Sequence, residues 1–128
     1  MVDVGNTLNL CIQGRDPFGA RIDELKNKPV GNRRLAILRT APGDSLKKCQ
    51  IVFIARSAVG ELPDTLRQLR GAPVLTVADT PGTTLQGVVL SMAVNRDRIT
   101  FAANLKAAHE ARLGLSSKLL SLATDVIR

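Results

Sequence analysis

Residues 49–54, CQIVFI, form a run of strand length that is apolar on both faces. A strand of this kind must be covered on both sides of its sheet, which is typical of a central strand in a parallel α/β sheet. Three further runs of strand length flank it along the chain, at Leu8 to Gln13, Arg34 to Arg39 and Pro73 to Ala78. Together the four runs predict a mostly parallel sheet with residues 49–54 at its centre.

Helical patterns lie between these strands, as an α/β fold requires. Asp16 and Pro17 are typical of a helix N-cap and first helical residue, and the apolar spacing that follows predicts a helix to about Asn27. A second helix is predicted from near Pro63 to Gly71, because leucines recur along one face at Leu62, Leu66 and Leu69. The sheet is therefore expected to be flanked by helices.

The C-terminal third has a different pattern. Val88 to Val94 and Arg98 to Ala102 predict an antiparallel hairpin, since a short polar turn joins two runs of strand length. A helix is expected from Lys106 to Arg112. A last helix is expected to begin near Ser116 and to carry five apolar residues on one face, Leu119, Leu120, Ala123, Val126 and Ile127.

Length and composition predict one domain over residues 1–128. With 128 residues and 45% hydrophobic content, the chain is long enough for one core and too short for two. Aromatic residues make up only 2% of the chain, which disfavours a surface that stacks nucleic-acid bases.

The net charge of +7 is spread along the chain, and the adjacent basic pairs are Arg33-Arg34 and Lys47-Lys48. Nucleic-acid binding needs a continuous basic face, so a nucleic-acid partner is not expected. A basic solvated surface explains the charge, and the same surface suits an acidic protein partner.

No catalytic constellation is found in the sequence. The segment Asp79 to Gly82 is similar to a GTPase DxxG motif, but no phosphate-binding GxxxxGK[ST] loop accompanies it, so a turn that ends a strand is expected instead. His109 is the single histidine, which leaves no Ser-His-Asp arrangement with a recognisable nucleophile motif and no histidine pair for a metal. We expect a protein that is not an enzyme and has no cofactor or metal.

A candidate crevice is predicted where the carboxyl ends of parallel strands meet, because ligands of open α/β sheets bind there. Loops that follow three of the predicted strands would gather at that edge. The candidate residues for a ligand or partner are Arg15, Asp16, Arg56, Ser57 and Asp79. Ordinary loop and capping roles are the alternative for all five residues.

Two cysteines, Cys11 and Cys49, are too few for a disulfide scaffold or a structural zinc site. Composition alone leaves two alternatives open for them. They are either buried thiols that act as small apolar residues or a single disulfide.

Four stretches of the chain resemble the YfiR-like family of periplasmic regulators, in the same order and at similar spacings. They are LCIQGRDPFG, CQIVFIA, RGAPVLTVADTPG and GVVLSMAVNRDRITFAANLKAAHEARLGLSSKLLSLA. The resemblance covers about Leu8 to Ile127, and the hairpin that runs into Phe101 and Asn104 is its most specific part.

This resemblance implies a periplasmic signalling protein that binds the periplasmic region of an inner-membrane diguanylate cyclase. It would restrain the cyclase, lower cyclic-di-GMP and so affect biofilm behaviour. An outer-membrane lipoprotein of the OmpA type is implied as a second partner, and a homodimer is left open. The resemblance also implies a disulfide between Cys11 and Cys49, which suits an oxidising compartment. A small-ligand-binding α/β sensor domain is the alternative function.

The sequence departs from the family pattern at its N-terminus and in the hairpin. Compared with family members, the chain is expected to lack the N-terminal secretion signal and the first helix. In the hairpin it has Leu90-Ser91-Met92 where the family often has Ile-Asn-Phe, and Ala102 where an acidic residue often follows the phenylalanine. Partner contacts that use those side chains would differ in this chain.

Overall fold

A central parallel sheet organises the computed structural model, which describes residues 7–14, 29–30, 33–40, 46, 48–80, 82–95, 98–115 and 117–127. Within these ranges, eight strands form one sheet in the order β2-β3-β1-β4-β5-β6-β7-β8. The strands are β1 (Thr7–Gln13), β2 (Pro29–Val30), β3 (Arg33–Thr40), β4 (Ile51–Ile54), β5 (Leu75–Ala78), β6 (Leu90–Asn95), β7 (Arg98–Asn104) and β8 (Asp125–Ile127). The helices are α1 (Leu62–Leu69), α2 (Leu105–Glu110) and α3 (Ser117–Leu122), with 3₁₀ helices at Arg56–Glu61 and Thr83–Gln86.

The predicted α/β class and mostly parallel sheet are confirmed. Strand β1 pairs in parallel with β3 on one side and with β4 on the other. Parallel pairing continues from β4 to β5 and from β5 to β6, so β4 is an interior strand as its apolar faces predicted. The helix predicted between residues 16 and 27 lies outside the described residues.

The predicted antiparallel hairpin is also confirmed, since β6 and β7 pair from Leu90↔Ala103 to Asn95↔Arg98. A second antiparallel pair joins β2 to β3, and β2 forms one edge of the sheet. Strand β2 has only two residues, and that is too short a run for sequence periodicity to reveal.

The predicted last helix is wrong in its C-terminal part. Helix α3 ends at Leu122, and Val126 and Ile127 lie in strand β8, which pairs in parallel with β7. Thr124 holds the chain against β7 between the end of α3 and the start of β8. Its backbone N–H and its hydroxyl both donate to the carbonyl of Phe101, at 2.8 and 3.1 Å. The β-branched side chains of Val126 and Ile127 favour a strand once the chain is held against β7.

Two apolar clusters lie on opposite faces of the sheet. The first packs α1 and neighbouring loops against alternate residues of the central strands, and it contains Cys11, Val52, Ile54, Leu62 and Ala78. The second includes Ile12, Phe53 and Ala55 on the other face. Residues that alternate along β1 and β4 therefore contribute to both clusters, as strand geometry requires.

The first cluster contains a disulfide bond between Cys11 and Cys49. Both cysteines are fully or almost fully buried, at 0% and 2% exposure. The bond ties the middle of β1 to the residue two positions before β4. The pairing that the family resemblance implied is present in the structure.

Arg112 closes helix α2 in a left-handed conformation, with a φ of 60°. Its backbone N–H donates to the carbonyl of His109, and the N–H of Leu113 donates to the carbonyl of Ala108, so the end of the helix is well capped. Glycine adopts a left-handed φ without the steric cost that a Cβ introduces. The relief of that steric cost, about 1–2 kcal/mol, exceeds the entropic cost of glycine, so we expect Arg112→Gly to raise the free energy of unfolding by about 0.5–1 kcal/mol.

Urea unfolding of Arg112→Gly and Arg112→Ala measures this effect. The alanine variant removes the same side chain but keeps the Cβ, so it is the matched control. If both variants gain the same stability, loss of the arginine side chain explains the gain and the backbone account is wrong.

Candidate functional site

The carboxyl ends of β1, β4 and β5 lie side by side at the point where the chain reverses direction across the sheet. From β1 the chain proceeds to β3 on one side and then returns to β4 on the other. The pairing aligns Gln13 with Ile54 and Ile54 with Ala78, so the loops after the three strands begin at the same level. This arrangement is the topological switch point at which open α/β sheets bind their ligands.

Two of these loops are in close contact. The backbone N–H of Ala55 donates to the carbonyl of Gln13 at 2.9 Å. Gly14, with a φ of 93°, lies so close to the next loop that an added Cβ would be 2.8 Å from the Cβ of Ala58 and from Oγ of Ser57. The structure thus brings the first loop against Ser57, and only glycine fits at position 14.

The other candidate residues have different environments. Arg56 is exposed at the start of the first 3₁₀ helix, next to Ser57. Arg15 and Asp16 lie outside the described residues. Arg56 and Asp79 lie at the same sheet edge, and no ion pair joins them in the described part of the chain.

Asp79 and Thr80, which follow β5, have unused hydrogen-bonding capacity. Oδ1 of Asp79 and Oγ1 of Thr80 are buried and have no hydrogen-bond partner among the described residues. The backbone carbonyl of Thr80 is fully used, because it accepts from Oγ1 of Thr83 at 2.8 Å and from Oγ of Ser91 at 3.1 Å. A buried carboxylate oxygen and hydroxyl without partners can bind a group that supplies hydrogen-bond donors.

The described ranges were also searched for metal sites and for helices that could cross a membrane. These ranges contain no group of three or more His, Cys, Asp or Glu side chains placed to hold a metal ion. His109 is exposed on α2. None of the described helices is long and apolar enough to cross a membrane.

A groove that the sequence did not predict lies away from the switch point, between α1 and α2. Its volume is about 320 Å³. The walls are formed by Leu66 and Leu69 of α1 and by Ala107 and Ala111 at α2, while Val74 and Val89 contribute apolar surface between them. Among the described residues, Arg70 and Glu110 are the charged ones of its lining. The three crevice candidates that the structure describes, Arg56, Ser57 and Asp79, do not line this groove.

Leu85 projects from the 3₁₀ helix beside the groove and is 80% exposed. Its neighbours Thr83 and Thr84 are buried, so the turn is anchored on one side of Leu85. On the other side, Gln86 and Gly87 belong to the groove lining. We call the groove and the neighbouring Leu85 together the Leu85 surface.

Asn104 positions this surface. Its side-chain Oδ1 accepts from the N–H of Ala107 at 2.9 Å and caps α2, while its Nδ2 donates to the carbonyl of Thr84 at 2.8 Å. One buried side chain thus joins one wall of the groove to the turn that carries Leu85. Asparagine directly before LKAAHE is a recognisable N-cap signal, but its second bond joins residues 20 positions apart and has no signal in the sequence.

Comparison with known protein families gives a match over almost the whole chain. A family model described as YfiR/HmsC-like matches residues 2–124, which is almost the whole chain. No curated protein matches this chain. The matched region contains the disulfide, the switch-point loops and the Leu85 surface.

Proposed function

Because the chain belongs to the YfiR/HmsC-like family, we propose that it is a periplasmic regulator that binds the periplasmic region of an inner-membrane diguanylate cyclase and restrains it. The family membership is the observation that carries this proposal. Binding of the regulator would lower the synthesis of cyclic-di-GMP, and its release would raise it.

The disulfide supports a periplasmic location. Disulfide bonds form and persist in oxidising compartments such as the periplasm, and they are rare in the reducing cytosol. The bond between Cys11 and Cys49 lies in the main apolar cluster, where it is part of the packing of the domain. A structural bond of this kind suits a protein that folds outside the cytosol.

The charge of the chain supports a protein partner of opposite sign. The net charge of +7 gives the surface a positive potential, which would speed association with an acidic sensor region. We propose regulation by binding and no catalytic reaction. An outer-membrane lipoprotein of the OmpA type would act as a second partner that sequesters the regulator and frees the cyclase.

Deletion of the gene tests this function in cells. We expect cyclic-di-GMP to rise in the deletion strain and to return to the parental level when the gene is restored. Deletion of the cyclase gene in the same strain should abolish the rise. An unchanged cyclic-di-GMP level in the first deletion strain would contradict the proposed function.

A second candidate function is the binding of a small ligand at the switch point. The unpartnered oxygens of Asp79 and Thr80 favour it, because a ligand with an ammonium group would supply the missing donors. A ligand at 100 times its dissociation constant would stabilise the fold by about 2.7 kcal/mol. A metabolite screen by thermal denaturation should therefore show a shift for the wild-type protein that Asp79→Asn reduces. The absence of any shift in the wild-type protein would contradict ligand binding.

A further inference from the structure

Residues 120–127, the end of α3 together with strand β8, lie along one edge of the sheet. None of the residues in this range is buried, and the apolar residues of β8 are half-buried. Leu122 is 65% exposed. In the central strand β4, by contrast, Val52 and Ile54 are fully buried. Because burial of apolar surface is the main source of folding stability, residues 120–127 gain less of it than the central strands.

This segment joins the sheet on one side only. Strand β8 is the outermost strand and pairs with β7 over the three residues Asp125–Ile127. Thr124 adds the two bonds that its backbone N–H and its hydroxyl donate to the carbonyl of Phe101, and the hydroxyl bond is exposed. Few buried apolar contacts and exposed hydrogen bonds are the features of segments that open at low free energy.

Strand β7 is held independently of this segment. Ala103 and Asn104 are buried, and the backbone N–H of Asn104 donates to the carbonyl of Val89 at 2.8 Å. The side chain of Asn104 bonds the carbonyl of Thr84 and the N–H of Ala107. On its inner side, β7 pairs with β6 along the whole hairpin. These contacts do not involve α3 or β8, so they remain when β8 leaves the edge.

We propose that residues 120–127 form a releasable cover over the outer edge of β7, which we call the β7 cover. The β7 cover detaches and reattaches while the rest of the domain stays folded. Its release exposes to water the backbone groups of Ala102, Ala103 and Asn104 that face β8. An uncovered strand edge pairs readily with other chains, so the closed cover protects this edge. This inference goes beyond the proposed function and does not depend on it.

Hydrogen exchange of the oxidised wild-type protein, followed by NMR, tests the proposal. Under conditions in which exchange measures the opening equilibrium, we expect amides of the β7 cover to exchange at least about 100-fold faster than those of β4 and β5. Low concentrations of urea should accelerate exchange in β4 and β5 but change it little in the cover, because a local opening exposes little surface. The N–H of Asn104 should stay protected, since its bond to Val89 survives release.

Two variants separate local opening from global unfolding. Thr124→Val removes the hydroxyl bond to Phe101 and should accelerate exchange in the β7 cover about five-fold. Ile54→Val removes a methylene group from the core, far from this edge, and should accelerate exchange in β5 about five-fold. The core substitution destabilises the closed and open forms of the cover equally, so exchange in the cover should not change.

Three results would overturn the proposal. The first is exchange in the β7 cover with the same rate and urea dependence as in β5. The second is an Ile54→Val protein in which the cover and β5 accelerate equally, because the cover would then open only when the whole domain unfolds. The third is an Asn104 N–H that exchanges as fast as the cover, because the hairpin would then open together with β8.

Discussion

Replacement of both Cys11 and Cys49 by alanine is expected to lower the free energy of unfolding by about 4 kcal/mol. The bond closes a loop with a sequence separation of 38 residues. A cross-link over that distance removes much of the conformational freedom of the unfolded chain, and this loss gives the estimate in the chain-entropy model. Because small domains have only about 5–15 kcal/mol of total stability, the variant should lose a large part of it.

Urea unfolding of three samples measures this effect. They are the oxidised wild-type protein, the wild-type protein with reductant, and the double alanine variant. The reduced wild-type protein and the double alanine variant should unfold at similar urea concentrations. Both concentrations should be much lower than that of the oxidised wild-type protein. Addition of reductant should leave the unfolding midpoint of the variant unchanged, because the variant has no disulfide. The variant therefore controls for effects of the reductant itself. An equal midpoint for the oxidised and reduced wild-type proteins would contradict a structural role of the bond.

Replacement of Asn104 by alanine is expected to cost about 2–3 kcal/mol of stability, the second-largest effect that the structure predicts. Loss of an N-cap costs about 1 kcal/mol, and a buried carbonyl left without its donor costs about 1–2 kcal/mol more. The donors and acceptors concerned are the N–H of Ala107 and the carbonyl of Thr84. Thermal and urea denaturation measure the loss.

Asn104→Asp is the matched variant for this prediction. A carboxylate still accepts from the N–H of Ala107, but it has no donor for the carbonyl of Thr84. The aspartate variant should keep the helix cap and lose the contact with the Leu85 turn, so its loss of stability should be smaller than that of the alanine variant. If alanine and aspartate at position 104 both leave stability unchanged, Asn104 does not hold the two elements together.

The central parallel strands β1, β3, β4 and β5 could be predicted because each of them has its own signal in the sequence. The run around Val52 is apolar on both faces, and that pattern is specific to strands covered on both sides. The leucines of α1 recur at helical spacing, and Leu62 and Leu69 are buried as that spacing predicted. Signals of this kind depend only on neighbouring residues, so the sequence is sufficient to detect them.

Strand β8 could not be predicted because its structure depends on a distant contact. Leu119, Leu120 and Ala123 continue at helical spacing into Val126 and Ile127, and local pattern alone therefore favours a longer helix. The bonds from Thr124 to Phe101 end that helix, and the two residues are 23 positions apart. Tertiary pairing thus determines the structure of the last residues.

The two candidate surfaces, the sheet edge and the Leu85 surface, also differ in whether the sequence could predict them. The sheet edge that holds Ser57 and Asp79 follows from strand order, so sequence reasoning could place it. The Leu85 surface depends on the separation between α1 and α2 and on the exposure of one leucine in a turn. Neither quantity has a periodic signal, and an isolated leucine in the sequence gives no indication of its exposure.

The most direct test of the regulatory function is a calorimetric titration of the oxidised protein into the purified periplasmic region of the cyclase. We predict saturable binding whose affinity falls as salt is raised, because the protein has a net charge of +7 and the proposed partner is acidic. No detectable binding at low salt, with both proteins at roughly 100 μM, would contradict it.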